Sequence, residues 1–463
     1  MKTDAGGGKM AGTSQLDLFR KGESDRYDSL DEVWQEVERC LKCGTCRAAC
    51  PVFCEALDES YCARGRVALV EALREGSIDL SPGFIERLSM CLNCKSCVEA
   101  CPCGIHVDDL VLAARAEIFK RGRFPWLKKL VFRHLLKRGR LLPPVSKTVA
   151  WIERKVLKGL PPSSPYRILL PAVKVDKDRN LPMFAEKTMI EQLPETVSPE
   201  GRPRKRVGLF VGCATNMIFP RVGLAAVRAL VGEGFEVVIP GGQVCCGVPV
   251  YTAGDRDDAR DLAEANVRAF KKHDLDAVVV CCASGGLALK KDYEHLLGLG
   301  QESLGAPVYD ISEFLAGFGE LDLKDTGAQP VTVTYHDPCH LNRGQGEVAA
   351  PRKLLEAMPH VTFVEMEESD RCCGGGGTFS FSYYDLAKEI GRKKVSCIAA
   401  TGADVVATSC PSCMMQLEDM LKRNGLPQNV VHVVELLAPY YAPLNAVPLE
   451  KQPDLRTRGQ APR

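Results

Sequence analysis

The chain has 463 residues, with 60 Lys and Arg against 59 Asp and Glu, a formal charge of +1, and 22 cysteines. That balance excludes a general nucleic-acid binder, which carries a basic excess over a whole domain. No run approaches the roughly 18 apolar residues of a membrane span; the longest candidate, Leu275 to Leu289, is broken by Asp276, Ser284, Gly285 and Gly286. The start of the chain has no apolar stretch of a secretory signal, so a reducing, cytoplasmic setting is expected, in which this many cysteines are not read as disulfides. The length predicts several domains with ample cores. Metal is the remaining use for clustered thiols.

In chain order, 1–29 is a polar, Gly-rich tail predicted to be disordered. Residues 30–120 hold 11 cysteines in two similar groups. Residues 121–205 hold none and form a connector, in which Lys120 to Arg140 carry nine basic residues and no acid. Trp126, Leu127, Leu130, Val131 and Leu135 recur there at helical spacing, so 126–140 reads as a basic amphipathic helix. Such a helix can dock an acidic partner, rest on anionic lipid at the inner face of the membrane, or simply pack on its own domain. Residues 206–320 and 330–442 read as an internal repeat, and 443–463 as a loose tail. Each repeat alternates strand and helix, which predicts small α/β units with partly parallel sheets and ligand sites at the strand ends.

The first region contains Cys40-x2-Cys43-x2-Cys46-x3-Cys50-Pro51 and Cys91-x2-Cys94-x2-Cys97-x3-Cys101-Pro102. Three thiolates at this spacing wrap one face of a cubane 4Fe–4S cluster, and the Cys before Pro reaches the other cluster. The expected sets are therefore Cys40, Cys43, Cys46 and Cys101 for one cluster, and Cys91, Cys94, Cys97 and Cys50 for the second. Zinc sites use Cys-x2-Cys pairs, not this triple with Cys-Pro twice over. The segment resembles the bacterial two-cluster ferredoxin domain, with a helical insertion between its halves. Cys54, Cys62 and Cys103 fall outside the pattern and are expected to act as small core hydrophobes.

In the second repeat the set is Cys339, Cys372, Cys373, Cys410 and Cys413. It resembles the CCG domain, the cysteine-rich module of heterodisulfide reductase and its relatives. That resemblance implies that the five cysteines hold a non-cubane 4Fe–4S centre; a tetrahedral zinc site with one spare thiol is the alternative. In the first repeat Cys213, Cys245, Cys246 and Cys281 match the pattern, but the last cysteine is missing. Ser284 stands in its place, and Cys282 lies beside Cys281. Zinc, an incomplete cluster and no metal all stay open there. Gly374 to Gly377 lack a following Lys-Ser/Thr, so they are read as letting backbone approach the metal rather than as a phosphate cradle. His336 and His340 flank Cys339, either as ligands or proton relays or as loop residues of an Asx-type turn.

The expected fold is thus α+β and multidomain: a helical two-cluster ferredoxin domain followed by two tandem α/β CCG domains. That layout, with Arg64-Gly65-Arg66 after the first cysteine group, resembles the glycolate oxidase iron–sulfur subunit. Close cousins are the iron–sulfur subunits of heterodisulfide reductase and anaerobic glycerol-3-phosphate dehydrogenase. Tyr61-Cys62-Ala63 stand where the family usually has Ser-Pro. The sequence shows no dinucleotide or flavin fingerprint. The resemblance therefore implies a partner FAD subunit that oxidises a 2-hydroxyacid such as glycolate or D-lactate. This chain would relay single electrons from it to a quinone or redox protein. The alternatives it implies are a thiol–disulfide reductase subunit and the iron–sulfur subunit of an anaerobic glycerol-3-phosphate dehydrogenase.

Overall fold

The computed structural model describes residues 28–122, 147–148, 179–298 and 303–444. The basic segment 126–140 lies outside these residues. Among the described residues, no helix is long and apolar enough to cross a membrane.

Residues 28–122 are helices and cysteine loops without a strand. Helix α1 (Pro51–Ala56) starts directly after Cys50, with Pro51 in the first turn, where its missing N–H costs nothing. Helices α2 (Ala63–Arg74), α3 (Pro82–Ser89) and α4 (Val107–Lys120) follow. Val67, Val70, Leu73, Leu88, Leu110 and Ala113 from these three helices form one core beneath the cysteine loops.

The first repeat contains β1 (Thr196–Val197), β2 (Arg206–Phe210), α5 (Pro220–Gly232), β3 (Glu236–Val238), α6 (Arg256–Phe270), β4 (Ala277–Val280), α7 (Ala283–Leu287), β5 (Val308–Asp310) and α8 (Ile311–Phe318). The second contains β6 (Val331–His336), α9 (Cys339–Gln345), α10 (Ala349–Ala357), β7 (Val361–Phe363), α11 (Tyr384–Ala400), β8 (Val405–Thr408), α12 (Pro411–Arg423), β9 (Asn429–His432) and α13 (Val433–Leu437). The sheet orders are β1-β3-β2-β4-β5 and β7-β6-β8-β9. Every pairing is parallel except that of β1 with β3. The central strands β4 and β8 are buried along their whole length, as their Val-rich runs require of strands covered on both faces.

The two repeats share a core. Val207 and Leu209 of β2, Val279 of β4, Val333 and Tyr335 of β6, Val405 of β8 and Leu436 of α13 belong to one apolar cluster. Helix α13, at the end of the second repeat, packs on α5 of the first, and α8 packs on α10. The seam also carries a backbone hydrogen bond from Ala283 N to Ser409 O (3.2 Å). As a result, the carboxyl ends of β4 and β8 face one another.

The helical region is fastened across this pair. Arg343 of α9 bonds Glu99 at 2.6 Å, Arg256 of α6 bonds Glu32 at 2.7 Å, and Arg115 of α4 donates to Thr252 O at 3.0 Å. Gly254, at φ +99°, lies so close to α4 that a Cβ would stand 2.2 Å from Arg115 O.

Candidate metal centres

The two ferredoxin-type loops share one backbone design. Lys42 and Gly44 in the first, and Asn93 and Lys95 in the second, have positive φ. These left-handed residues curl each loop around its sulfurs, and at Lys95 a side-chain-bearing residue accepts a conformation that glycine adopts freely. The hydroxyls repeat as well: Cys43 Sγ lies 3.4 Å from Thr45 Oγ1, and Cys94 Sγ lies 3.4 Å from Ser96 Oγ.

Cys40, Cys43, Cys46 and Cys101 line one cavity, together with Ala63, Arg64 and Val67 of α2. Cys101 comes from the other half of the domain. Reciprocally, Cys50 faces Cys91 and Cys94, and its thiol is pushed up to about 11 by burial, against a lowering influence of Arg66. The thiol of Cys97 is raised by burial first and then by Cys91 and Cys94. Burial keeps such thiols protonated until a cation takes the proton's place. Both quartets thus have the donor chemistry of an iron–sulfur cube. Of the cysteines outside them, Cys62 is fully buried at the start of α2, with its sulfur against Cys46. Cys54 donates to Ala48 O at 3.4 Å, and Cys103 lies at the rim of the first cavity.

In the second repeat five thiols converge. Cys339 opens α9, Cys372 and Cys373 occupy the loop after β7, Cys410 caps α12, and Cys413 lies in its first turn. Cys373 accepts hydrogen bonds from Cys372 and Cys413, which lowers its thiol. Cys410 likewise accepts from Cys282 and Cys413. Gly374, at φ +83°, sits beneath α11, where a Cβ would be 2.5 Å from Ala387 O. A Cβ on Gly375 would lie 3.5 Å from Cys373 Sγ, and one on Gly376 would meet Leu92 at 2.3 Å. The glycine run therefore admits both the thiols and the ferredoxin-type loop.

Of the two sequence readings of His336 and His340, the Asx-type turn does not describe them. His336 ends β6 and is fully buried. His340 lies in α9, with Nδ1 3.0 Å from Ser284 Oγ and Nε2 3.0 Å from Asn93 O.

The first repeat requires a correction. Strand register pairs Phe210 with Val280 in one sheet and His336 with Thr408 in the other. Two residues beyond Val280 is Cys282; two beyond Thr408 is Cys410. Both cap the following helix with the same backbone, φ −151° and ψ 114° at Cys282 and φ −146° and ψ 116° at Cys410. The equivalent of Cys410 is therefore Cys282, not Cys281, and the missing last cysteine falls at Gly285, not Ser284. Cys281 corresponds to Ser409 and turns into the shared core. Its thiol is raised by burial and by Asp310. The sulfurs that do gather are Cys213, Cys245 and Cys246, with Cys282 beyond Cys246 and against Cys410.

The thiol sets form a row. Cys97 is a neighbour of Cys46 and also belongs to the second quartet. Cys94 of that quartet is a neighbour of Cys339 and Cys372, and Cys50, Cys94 and Cys372 share an apolar cluster with Leu92 and Phe379. Two cations border the row. Arg115 donates to Leu88 O, Ser89 O and Cys91 O at 2.7 to 3.0 Å. Lys394, fully buried near Cys372 and Cys373, holds Glu368 O and Ser369 O at 2.6 and 3.0 Å.

This arrangement defines an iron–sulfur protein with a dicluster region joined to two cysteine-rich units. The 4Fe-4S dicluster domain family matches residues 36–105, and the cysteine-rich domain family matches 207–290 and 333–418. The chain is 32% identical over 425 residues to a subunit of the fumarate reductase (CoM/CoB) of Methanothermobacter marburgensis, covering 89% of this chain and 74% of that one. It is 29% identical over 415 residues to the probable glycolate oxidase iron-sulfur subunit of Bacillus subtilis, covering 87% and 93%. It is 28% identical over 436 residues to a subunit of the dihydromethanophenazine:CoB–CoM heterodisulfide reductase of Methanosarcina barkeri, covering 87% and 93%. The chain belongs to this family of oxidoreductase iron–sulfur subunits, which takes in the glycolate oxidase iron–sulfur subunit and its heterodisulfide reductase relatives.

Proposed function

We propose that the chain is the electron-transfer subunit of a flavin-dependent 2-hydroxyacid dehydrogenase, acting on glycolate or D-lactate through a partner FAD subunit. The observation that carries this reading is the row of thiol sets, in which Cys97 and Cys94 bridge successive groups. Cys40, Cys43, Cys46 and Cys101 would hold one cubane cluster, and Cys91, Cys94, Cys97 and Cys50 a second. Cys339, Cys372, Cys373, Cys410 and Cys413 would hold a third, non-cubane centre. Each such centre stores and passes one electron, so two electrons arriving together at a flavin leave it singly.

The polypeptide contributes position and charge. The loops fix the sulfurs, and the apolar packing around Cys50, Cys94 and Cys372 keeps water from between neighbouring groups. Arg115 and Lys394 offset the negative charge of thiolates in a low-dielectric interior. The first quartet is the accessible end: Cys43 is exposed and Leu41 beside it is 75% exposed. A redox partner docks there, and the third centre lies at the far end against the first repeat.

A second reading, thiol–disulfide reduction at the third centre, is favoured by the name of the Methanosarcina barkeri relative, a heterodisulfide reductase subunit. The test is to purify the chain anaerobically with its natural partners and follow its visible absorbance while adding glycolate, then D-lactate. Bleaching with bound FAD supports the relay. Disulfide reduction by the isolated chain with reduced methyl viologen, and no flavoprotein bound, supports the second reading instead.

A further inference from the structure

His336 is the imidazole at the second thiol set whose two ring nitrogens meet no nitrogen or oxygen partner among the described residues. It is fully buried, and it sits by the sulfur of Cys373, whose thiol it helps to lower. A buried N–H left unsatisfied is costly, so such a group in a packed interior points to an acceptor that binds there. Sulfurs are at hand to accept: a ring nitrogen of His336 and the Sγ atoms of Cys373 and Cys413 all lie within 4.8 Å of one another. His340, in the helix that follows the strand, is different, because both of its nitrogens are engaged by Ser284 and Asn93 O.

A second buried polar group without a partner sits at the same set. Gln416, one turn beyond Cys413 on α12, is 1% exposed, and neither its amide nitrogen nor its oxygen is bonded. The first repeat provides the control. At the register position of His336 it has Phe210, packed against Phe270 with ring centroids 5.9 Å apart. Where the last cysteine is gone, the imidazole is gone as well.

We propose that His336 donates a ring N–H to a sulfur of the metal centre held by Cys373 and Cys413, and thereby sets that centre's reduction potential. The inference rests on the reading that the second set holds an iron–sulfur centre. Hydrogen bonds to cluster sulfurs stabilise the more negative, reduced state and raise the potential. This makes His336 a tuning residue rather than a catalytic one.

The test uses the full chain, loaded anaerobically, with the third centre followed by electron paramagnetic resonance during a mediated dithionite titration. His336→Phe, which copies the first repeat, is expected to keep its iron and to shift the midpoint of the third centre alone to lower potential. A tenfold change in the reduction equilibrium corresponds to about 59 mV for one electron. His336→Gln, which keeps an N–H donor, is expected to restore most of the shift. In wild-type protein carrying 15N-histidine, pulsed resonance is expected to show a weakly coupled nitrogen that is lost in His336→Gln. An unchanged midpoint in His336→Phe, or no histidine coupling in the wild type, overturns the inference. A strongly coupled nitrogen, with iron lost in both variants, overturns it in favour of direct ligation. A wild-type chain with no third resonance overturns the iron–sulfur reading of the set itself, a result distinct from all of these.

Discussion

The two repeats have the same strand order around their central pair, the same positive-φ glycine after the Cys-Cys pair, and the same helix cap at Cys282 and Cys410. They differ at one ligand position and at one position beside the ligands. Gly285 replaces the equivalent of Cys413, and Phe210 replaces His336. The first repeat thus keeps the fold without the full ligand set, with a core shared with the second repeat and helices packed across the seam. A small unit whose core depended on metal could not lose its ligands in this way. Cys282 keeps its place but faces Cys410, so the first repeat serves as the wall of the second repeat's site.

The largest effect that would break this comparison is loss of the third centre. Cys373→Ser is expected to remove about four irons per chain, whereas Cys281→Ser removes none, because Cys281 faces the core. Iron and sulfide analysis of the two variants decides it. A gain comes next. Gly285→Cys would restore the missing ligand. A Cβ there lies 3.4 Å from Val280 Cγ1 and 3.9 Å from Cys282 Sγ, which is ordinary contact. The expected outcome is extra metal bound after anaerobic reconstitution, and none if Cys246 is also changed to Ser.

A smaller difference concerns the paired glycines. Gly247 and Gly374 have φ of +91° and +83°. Alanine at either costs about 1–2 kcal/mol for the left-handed backbone. At Gly374 the Cβ also meets Ala387 O at 2.5 Å, whereas at Gly247 the matching carbonyl, Ala259 O, is 3.6 Å away. Urea unfolding of the metal-loaded chain should therefore show Gly374→Ala as the more destabilising. The smallest effect is chemical. The hydrogen bond from Thr45 lowers the Cys43 thiol, and the side chain is exposed. In the metal-free chain Cys43 should be alkylated before Cys50 and Cys97, whose thiols burial raises, and at lower pH than an ordinary cysteine. Peptide mapping after brief iodoacetamide treatment would show the order.

The parts legible in the sequence are those fixed by local spacing. Cys-x2-Cys-x2-Cys-x3-Cys-Pro determines a loop and the start of a helix, so the two quartets and their exchanged members can be read without knowing the fold. The five cysteines of the second set sit at strand exits, which alternation of strand and helix already places at one sheet edge. Cys281 and Cys282 are ambiguous in the sequence because two adjacent cysteines at a strand end point to opposite sides. A one-residue slip exchanges core and site, and only the pairing of β2 with β4 against that of β6 with β8 resolves it. His336 stays open in the sequence between a ligand or relay and a loop residue, because the strand's last position carries no apolar signal. The shared core is hidden because α13 packs on α5, a helix some 200 residues earlier in the chain. Nothing local in either helix records its partner.

The most direct measurement is the metal content of the anaerobically purified full chain, by elemental analysis and spin quantitation of the reduced protein. The account predicts iron and sulfide for three centres, about 12 irons per chain, with three distinguishable resonances and no stoichiometric zinc. Iron for two centres only, or one zinc per chain in place of the third, would contradict it.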